Sequence, residues 1–289
     1  NEILISYQGF DIDFFPSLCP TTGHLGFTTP DFLGAIVPIG SVVADQQAGM
    51  FAHGITDSGG WKATYGTSGV LMVSTGEDPH FSSPLTPMLL GGWDDKTLFA
   101  SEGMVRSAGE MIPWAVSKGI ANSIPEFFSL VDTVSDSGEL FVLPALHGLG
   151  TPHNDPEAVV LIKGESSSSS KGELAKAILE GIAFRMCEIV ELSVESLDLA
   201  SDAALPIDGG LSRSDAFCQI QADLLGRPLI RHPIIEATVY GAAVAGGQGI
   251  GFGTFDSPSQ GDIFKPVFNR SETTEKLSKW QNQVMDTNK

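Results

Sequence analysis

The sequence predicts an α/β fold, and three observations carry that reading. Runs with strand character alternate with runs of helical period along most of the chain, the order of a sheet covered by helices rather than of a bundle or a sandwich. The 289 residues are 42% hydrophobic and 18% charged, enough apolar material for a packed core and too little charge for a disordered chain. Strand-like runs also pass directly into helix starts, at Asp45 and at Asp208-Gly209-Gly210. Glycine shows no triplet period, no repeat is visible, and three cysteines cannot build a disulfide framework.

Residues 36–43 are β-rich and predict a strand running into a helix that opens on Asp45-Gln46-Gln47-Ala48. Residues 61–67 and 69–74 read as two strands joined at Gly66-Thr67-Ser68-Gly69. Helical spacing over 104–118 predicts a helix that Pro113 kinks or restarts. Residues 140–146 predict a buried strand, followed by a loop over 147–156 punctuated by Gly148, Gly150, Pro152 and Pro156. The serine run 166–170 predicts a surface loop ahead of a helix rather than a linker between domains. In that helix Leu174, Ile178, Ile182, Ile189 and Val190 recur at helical intervals, with Glu173, Lys176, Glu180 and Glu188 on other faces. A short strand over 205–210 ends on two glycines, and Ser214 and Asp215 cap a helix through Leu225. A strand near 228–231 and an Ala/Gly-rich helix from 238 to about 247 complete the predicted core.

Charge and composition exclude several functions. Sixteen Lys+Arg stand against 35 Asp+Glu, a net charge of −19, so a nucleic-acid partner is not expected and the acidity serves solubility. No apolar run approaches the ~20 residues that span a bilayer. The start, Asn1-Glu2-Ile3-Leu4-Ile5, has neither a basic leader region nor an initiator Met. Cys19, Cys187 and Cys218 lie far apart without CxxC spacing and are expected as buried thiols of a cytoplasmic protein. The six histidines show no HxxxH or HExxH spacing, so no metal site is expected.

Asp45 ends an apolar run between Ala44 and Gln46. A carboxylate there is either a helix N-cap or a reactive group, in the latter case a base that takes the proton of a hydroxyl attacking phosphorus. The turn Tyr65-Gly66-Thr67-Ser68-Gly69 offers backbone donors and two hydroxyls suited to phosphate oxygens, and is equally the composition of an ordinary hairpin turn. Asp208-Gly209-Gly210 would let a ligand approach the backbone beside a helix N-terminus, although a tight strand-to-helix turn asks for the same glycines. The glycine-rich residues 246–253 do not complete GxGxxG, because Phe252 holds the third glycine's place, and they predict close helix packing instead. Ser68 lacks the GxSxG context of a hydrolase nucleophile, and the sequon Asn269-Arg270-Ser271 means nothing without secretion.

Taken in order, these blocks resemble the C-terminal half of the FGGY-family carbohydrate kinases, in their glycerol kinase-like branch. The resemblance rests on residues 39–49 around Asp45, Thr64-Tyr65-Gly66-Thr67-Ser68-Gly69 with Ser74-Thr75-Gly76-Glu77, the loop from Leu143 to Pro156, the helix around Leu179-Glu180-Gly181, Asp208-Gly209-Gly210-Leu211, and residues 236–243. It implies an actin-like, ribonuclease H-like ATPase fold. Residues 1–54 would close a first, substrate-binding lobe, and residues 55–289 would form a second, nucleotide-binding lobe. ATP with Mg2+ would phosphorylate a small polyol or sugar, glycerol leading and a pentulose or sugar acid remaining open. Carried over by position, Asp45 would be the base and Gln46 a substrate contact. Gly66 and Thr67 would meet the ATP phosphates, Gly109 would line the nucleotide pocket, and Gly209, Gly210 and Ser214 would hold the adenine side. Val70, Pro113 and Ser214 depart from the glycerol kinase pattern, which leaves the substrate open. Nothing in the chain resembles the family's N-terminal Asp-Gly-Thr hairpin, so the missing initiator Met fits a piece of a longer kinase whose partner is its own N-terminal lobe. Family members often form dimers or tetramers, and the resemblance implies a homo-oligomer too. A non-catalytic nucleotide-binding or interaction module is the alternative reading.

Overall fold

The computed structural model describes residues 2–81, 84–93, 96–200, 202–252 and 261–285. Residues 2–44 hold little regular structure: helix α1 (Glu2–Tyr7), a 3-10 turn (Ile12–Phe14) and the single turn α2 (Pro30–Leu33). Neither α1 nor α2 buries a residue, and Ile3, Phe14, Leu18 and Phe32 expose their side chains. The strand predicted over 36–43 does not form. That run meets residues 21–28 through scattered backbone bonds and the isolated bridges Thr22↔Ser41 and Phe27↔Pro38; Ile36 and Val42 are exposed, while Gly40 is buried against the helix Ala237–Gly249. Pro38 and Gly40 interrupt the run, and the bridges do not join into a ladder. Cys19, expected as a buried thiol, is exposed in the same segment, whereas Cys187 and Cys218 are buried.

Helix α3 (Asp45–Ala52) leads into a seven-stranded sheet. Strands β1 (Trp61–Tyr65), β2 (Gly69–Gly76), β3 (Thr86–Trp93) and β4 (Lys96–Val105) make the antiparallel part in the order β3-β4-β2-β1, so β4 inserts between β2 and β3. The predicted helix over 104–118 is therefore wrong at its start, because Met104 and Val105 end β4, and α4 (Met111–Ser117) begins only after a turn. Pro113 is the third residue of α4, within the first turn where backbone N–H groups have no helical partner, so it imposes no kink. Helix α5 (Ile124–Val131) follows, then a separate two-stranded sheet of β5 (Phe141–Leu143) and β6 (Leu161–Lys163), with β5 shorter than the predicted strand over 140–146. The serine run forms a turn whose last residue, Ser170, caps α6 (Lys171–Ser196) in a capping box with Glu173. Strand β7 (Leu205–Asp208) returns to the main sheet parallel to β1. It is followed by α7 (Asp215–Leu225), parallel β8 (Leu229–Arg231), α8 (Ala237–Gly249), antiparallel β9 (Asp262–Phe264) and α9 (Arg270–Val284).

β1 is the middle of the sheet, between β2 and β7, and its alternation sorts the core into two faces. Trp61, Ala63 and Tyr65 join the large core with α6 and α7 through Ile182, Met186, Phe217 and others. Val70 and Met72 on β2 face the opposite way, onto Met50 of α3 and Leu90 of β3. On that second side α3 lies tightly against α8. A Cβ on Gly241 would fall 1.7 Å from the Ala48 carbonyl oxygen, and one on Gly249 1.8 Å from that of Gly40. The glycine-rich run thus serves helix packing, as expected; its last residue, Gly253, lies outside the described residues. Among the described residues no helix is long and apolar enough to cross a membrane.

Candidate functional site

The turn after β1 is fastened to the start of α4 by backbone bonds. Gly66 N–H bonds the Ser68 carbonyl at 2.9 Å, Gly109 N–H the Gly66 carbonyl at 2.9 Å, and Ala108 N–H the Thr67 carbonyl at 2.9 Å. Glycine is required where these segments meet. A Cβ on Gly109 would stand 2.5 Å from Gly66 O, and Gly209, at φ +95°, would place one 2.6 Å from Tyr65 O. The result is an open cleft of about 450 Å³. Gly66, Gly109 and Gly210 line it with bare backbone beside Thr67 and Glu110, while Ile112, Pro113, Phe128 and Leu211 give it apolar walls. Four of the sequence-predicted residues are therefore brought to one cleft. Ser214 is not among its lining residues: its hydroxyl accepts from Phe217 N–H at 3.2 Å and caps α7.

Asp45 and Gln46 lie at the N-terminus of α3. Ala44 holds the cap position, and Asp45 is the first helical residue, so the N-cap reading of Asp45 does not hold. Its exposed carboxylate accepts from Gln46 N–H at 2.7 Å and sits at the positive end of the helix dipole. Beneath this turn is a buried polar group that sequence reading missed. Lys62 of β1, 1% exposed, places Nζ 3.5 Å from Asp208 Oδ2 and donates to Gln46 Oε1 at 3.4 Å and to the Thr64 hydroxyl. Asp208, also buried, accepts from His53 Nε2 at 2.9 Å, and the His53 ring packs edge-on against His232 with centroids 4.6 Å apart.

The electrostatics follow from burial and pairing. Burial pushes the Lys62 and His53 values down, against the pull of Asp208. Burial works against the Asp208 carboxylate, yet the His53 hydrogen bond and Lys62 outweigh it and hold Asp208 below the usual range. Half-buried Glu102 of β4 is pushed up by burial and then by Asp45, with Lys62 opposing. The sequence did carry a signal for this group. Lys62 alternates with Trp61 and Ala63 in a β-rich run, and a lysine in a strand covered on both sides needs a buried partner. Among the described residues no three His, Cys, Asp or Glu side chains gather as a metal cage.

One strand joins the two halves of the site: β1 carries Lys62 and Thr64 under α3 and ends in the Gly66–Thr67 turn of the cleft. A sequence profile described as the FGGY family of carbohydrate kinases, C-terminal domain, matches residues 61–249. A glycerol kinase of Thermus brockianus is 37% identical over 252 residues, covering 87% of this chain and 51% of that protein. One from Gloeobacter violaceus is 36% identical over 257 residues, covering 86% and 50%. The crystal structure of Plasmodium falciparum glycerol kinase with ADP superposes with a TM-score of 0.88 at 24% identity, covering 100% of this chain and 59% of that one. A ligand-bound xylulose kinase from Lactobacillus acidophilus gives 0.79 at 18%, covering 100% and 60%; both structural matches concern the fold. The chain spans about half the length of the curated relatives it matches.

Proposed function

Because the chain belongs to the FGGY family of carbohydrate kinases and has the actin-like ATPase fold of their C-terminal domains, we propose that it is part of an ATP-dependent kinase acting on a hydroxyl of a small polyol or sugar. Glycerol is the first candidate acceptor, since the most similar relatives quoted above are glycerol kinases. The observation that carries the reading is the placement of an exposed helix-terminal carboxylate, Asp45, and a backbone-lined cleft at the two sides of one strand. Residues 1–54 are proposed as the end of the substrate-binding lobe and 55–289 as the nucleotide-binding lobe. The exposed apolar side chains of the first segment suit a surface that the rest of the kinase covers.

The residues present fit a nucleotide. A Cβ on Gly210 would meet nothing within 4 Å and one on Gly66 only Ser68 O at 3.8 Å, so both leave open space at the cleft, and the Ile112, Pro113 and Leu211 walls suit a base. ATP, as its magnesium complex, supplies the phosphoryl group and most of the charge neutralisation. The chain's own residues position and deprotonate. Gly66 and Thr67 present the turn to the phosphates, Gly109, Gly209 and Gly210 keep the backbone close to the nucleotide, and Ser214 fixes α7 behind them. Gln46 contacts the acceptor. Asp45 takes the proton of the acceptor hydroxyl as that oxygen bonds to the γ-phosphorus of ATP and the bond from that phosphorus to the bridging oxygen breaks, releasing ADP. Losing such a base costs ~10²–10⁴-fold in rate. In the complete kinase, Asp45→Asn should lower kcat by that factor while calorimetry with ATP reports nearly unchanged affinity. Full turnover by the variant would remove Asp45 from the mechanism. The non-catalytic alternative predicts ATP binding without transfer to any polyol, pentulose or sugar acid, and no feature of the described residues favours it.

A further inference from the structure

The buried ammonium of Lys62 has no part in the function as described so far. Burying a lysine is expensive, and apolar side chains would fill the same space at no such cost. The fold nevertheless makes room for it. A Cβ on Gly49 of α3, four residues after Asp45, would stand 2.4 Å from Lys62 Nζ and 3.1 Å from Cε. The second turn of α3, one turn on from Asp45, therefore lies directly on the ammonium. Lys62 has three protons to donate and three oxygens to receive them: the Thr64 hydroxyl, Gln46 Oε1 at 3.4 Å and Asp208 Oδ2 at 3.5 Å. Only Asp208 needs a cation. The bond to Gln46 reaches out of the sheet to the helix that carries Asp45.

We propose that Lys62 is a positioning residue for the first turn of α3: it fixes the Gln46 amide so that Nε2 serves as a donor toward the acceptor's hydroxyls. The orientation follows from amide chemistry. An ammonium can only donate, so the Gln46 oxygen must turn inward and the NH2 group is left for the acceptor. Asp208 anchors the ammonium at 3.5 Å and itself accepts from His53 Nε2 at 2.9 Å, so the group that holds Gln46 is fixed in the sheet.

The inference rests on the kinase reading, and its test separates the two. In the complete kinase, Lys62→Met should raise the acceptor KM about tenfold with the ATP KM unchanged, and should add nothing further in a Gln46→Ala background. Amide NMR of glutamine-labelled protein, with Gln46→Ala for assignment, should show the Gln46 side-chain NH2 signals moving in Lys62→Met. An acceptor KM and Gln46 signals that coincide with those of wild type would overturn the proposal, as would equal losses in the two backgrounds. Should Lys62→Met fail to fold, Gly49→Ala keeps the charge and displaces the ammonium. A raised acceptor KM and moved Gln46 signals support the proposal there, and unchanged values overturn it. If the wild-type kinase phosphorylates no polyol or sugar, the kinase reading fails, while the Gln46 signals still decide whether Lys62 holds that amide.

Discussion

Helix α8 contains two interior glycines with opposite surroundings, and replacing each by alanine measures how firmly it holds α3. Gly241 faces α3, where an added Cβ would lie 1.7 Å from Ala48 O and 2.6 Å from its carbonyl carbon. Gly246 has nothing within 4 Å of the same position. Both substitutions gain the same intrinsic helix preference, ~0.8–1.0 kcal/mol in favour of alanine. Gly246→Ala should show that gain alone. Gly241→Ala adds the cost of forcing two packed backbones apart, ~1–3 kcal/mol. A contact at 1.7 Å must open by more than an ångström before it becomes ordinary packing, which places the cost at the upper end of that range. The common helix term cancels in the difference, so the two variants should differ in unfolding free energy by about 2–3 kcal/mol. Urea denaturation at fixed pH, with similar m-values for both, gives that difference from the midpoints. Because α3 begins with Asp45, Gly241→Ala should also depress activity in the complete kinase while Gly246→Ala leaves it intact. Equal midpoints for the two variants would refute the argument that α8 clamps α3.

Tyr65→Phe should lower the unfolding free energy by ~1–3 kcal/mol, because the phenol donates to Gln221 Oε1 at 2.8 Å inside the core and its loss leaves that oxygen unpaired; a urea midpoint equal to wild type would show that the pair contributes nothing. His153 is held down to about 4 by burial and by Arg185, so the unfolded chain, with its value near 6.5, takes up a proton first as the pH falls. The stability contributed by neutral His153 is complete above pH 6.5 and is lost toward pH 4. Measured by denaturant midpoints, His153→Gln should therefore lose less stability than wild type on going from about pH 7 to about pH 5, and parallel losses would contradict it.

Much of the fold was legible in the sequence where periodicity, capping and turn chemistry agreed. α6 announced itself through its apolar spacing after the serine run, and β1 and β2 as two β-type runs either side of the Gly66–Gly69 turn. The β3–β4 hairpin was not legible, because Pro87, Gly91 and Gly92 interrupt its first strand and a register shift lies between Leu89 and Gly91. α9 was hidden for another reason: its apolar residues are few, and only Thr273, Leu277, Trp280 and Val284 are buried, on one narrow stripe. Local pattern also misled at 36–43, where Pro38 and Gly40 break the pairing into isolated bridges. At the candidate site, Asp45, the Gly66–Thr67 turn and Gly209-Gly210 could be singled out because glycine and a junction carboxylate leave local marks, whereas Gly109 came only from the family resemblance. Lys62 carried a signal of its own, but its partners Asp208 and His53 could not be named, since they depend on which strands become neighbours.

That neighbourhood has a consequence for how the molecule is assembled. β1 with β2 and β3 with β4 pair as hairpins, and β2 meets β4 across the intervening β3, whereas β1 meets β7 only after α4, α5 and α6 have been looped out, and the His53–Asp208 bond closes 155 residues. Local pairings are rewarded sooner than those that must first meet the entropy of a long loop, so the antiparallel strands pair before β7 docks. Until then β1 is an edge strand with a row of unpaired amides, the kind of surface that recruits other chains. Lys62 stands on that edge, solvated and charged, as the type of residue that discourages such pairing. The ammonium that the finished sheet buries is, on the way there, a guard against aggregation, and it gives up that post when Asp208 arrives to pair with it.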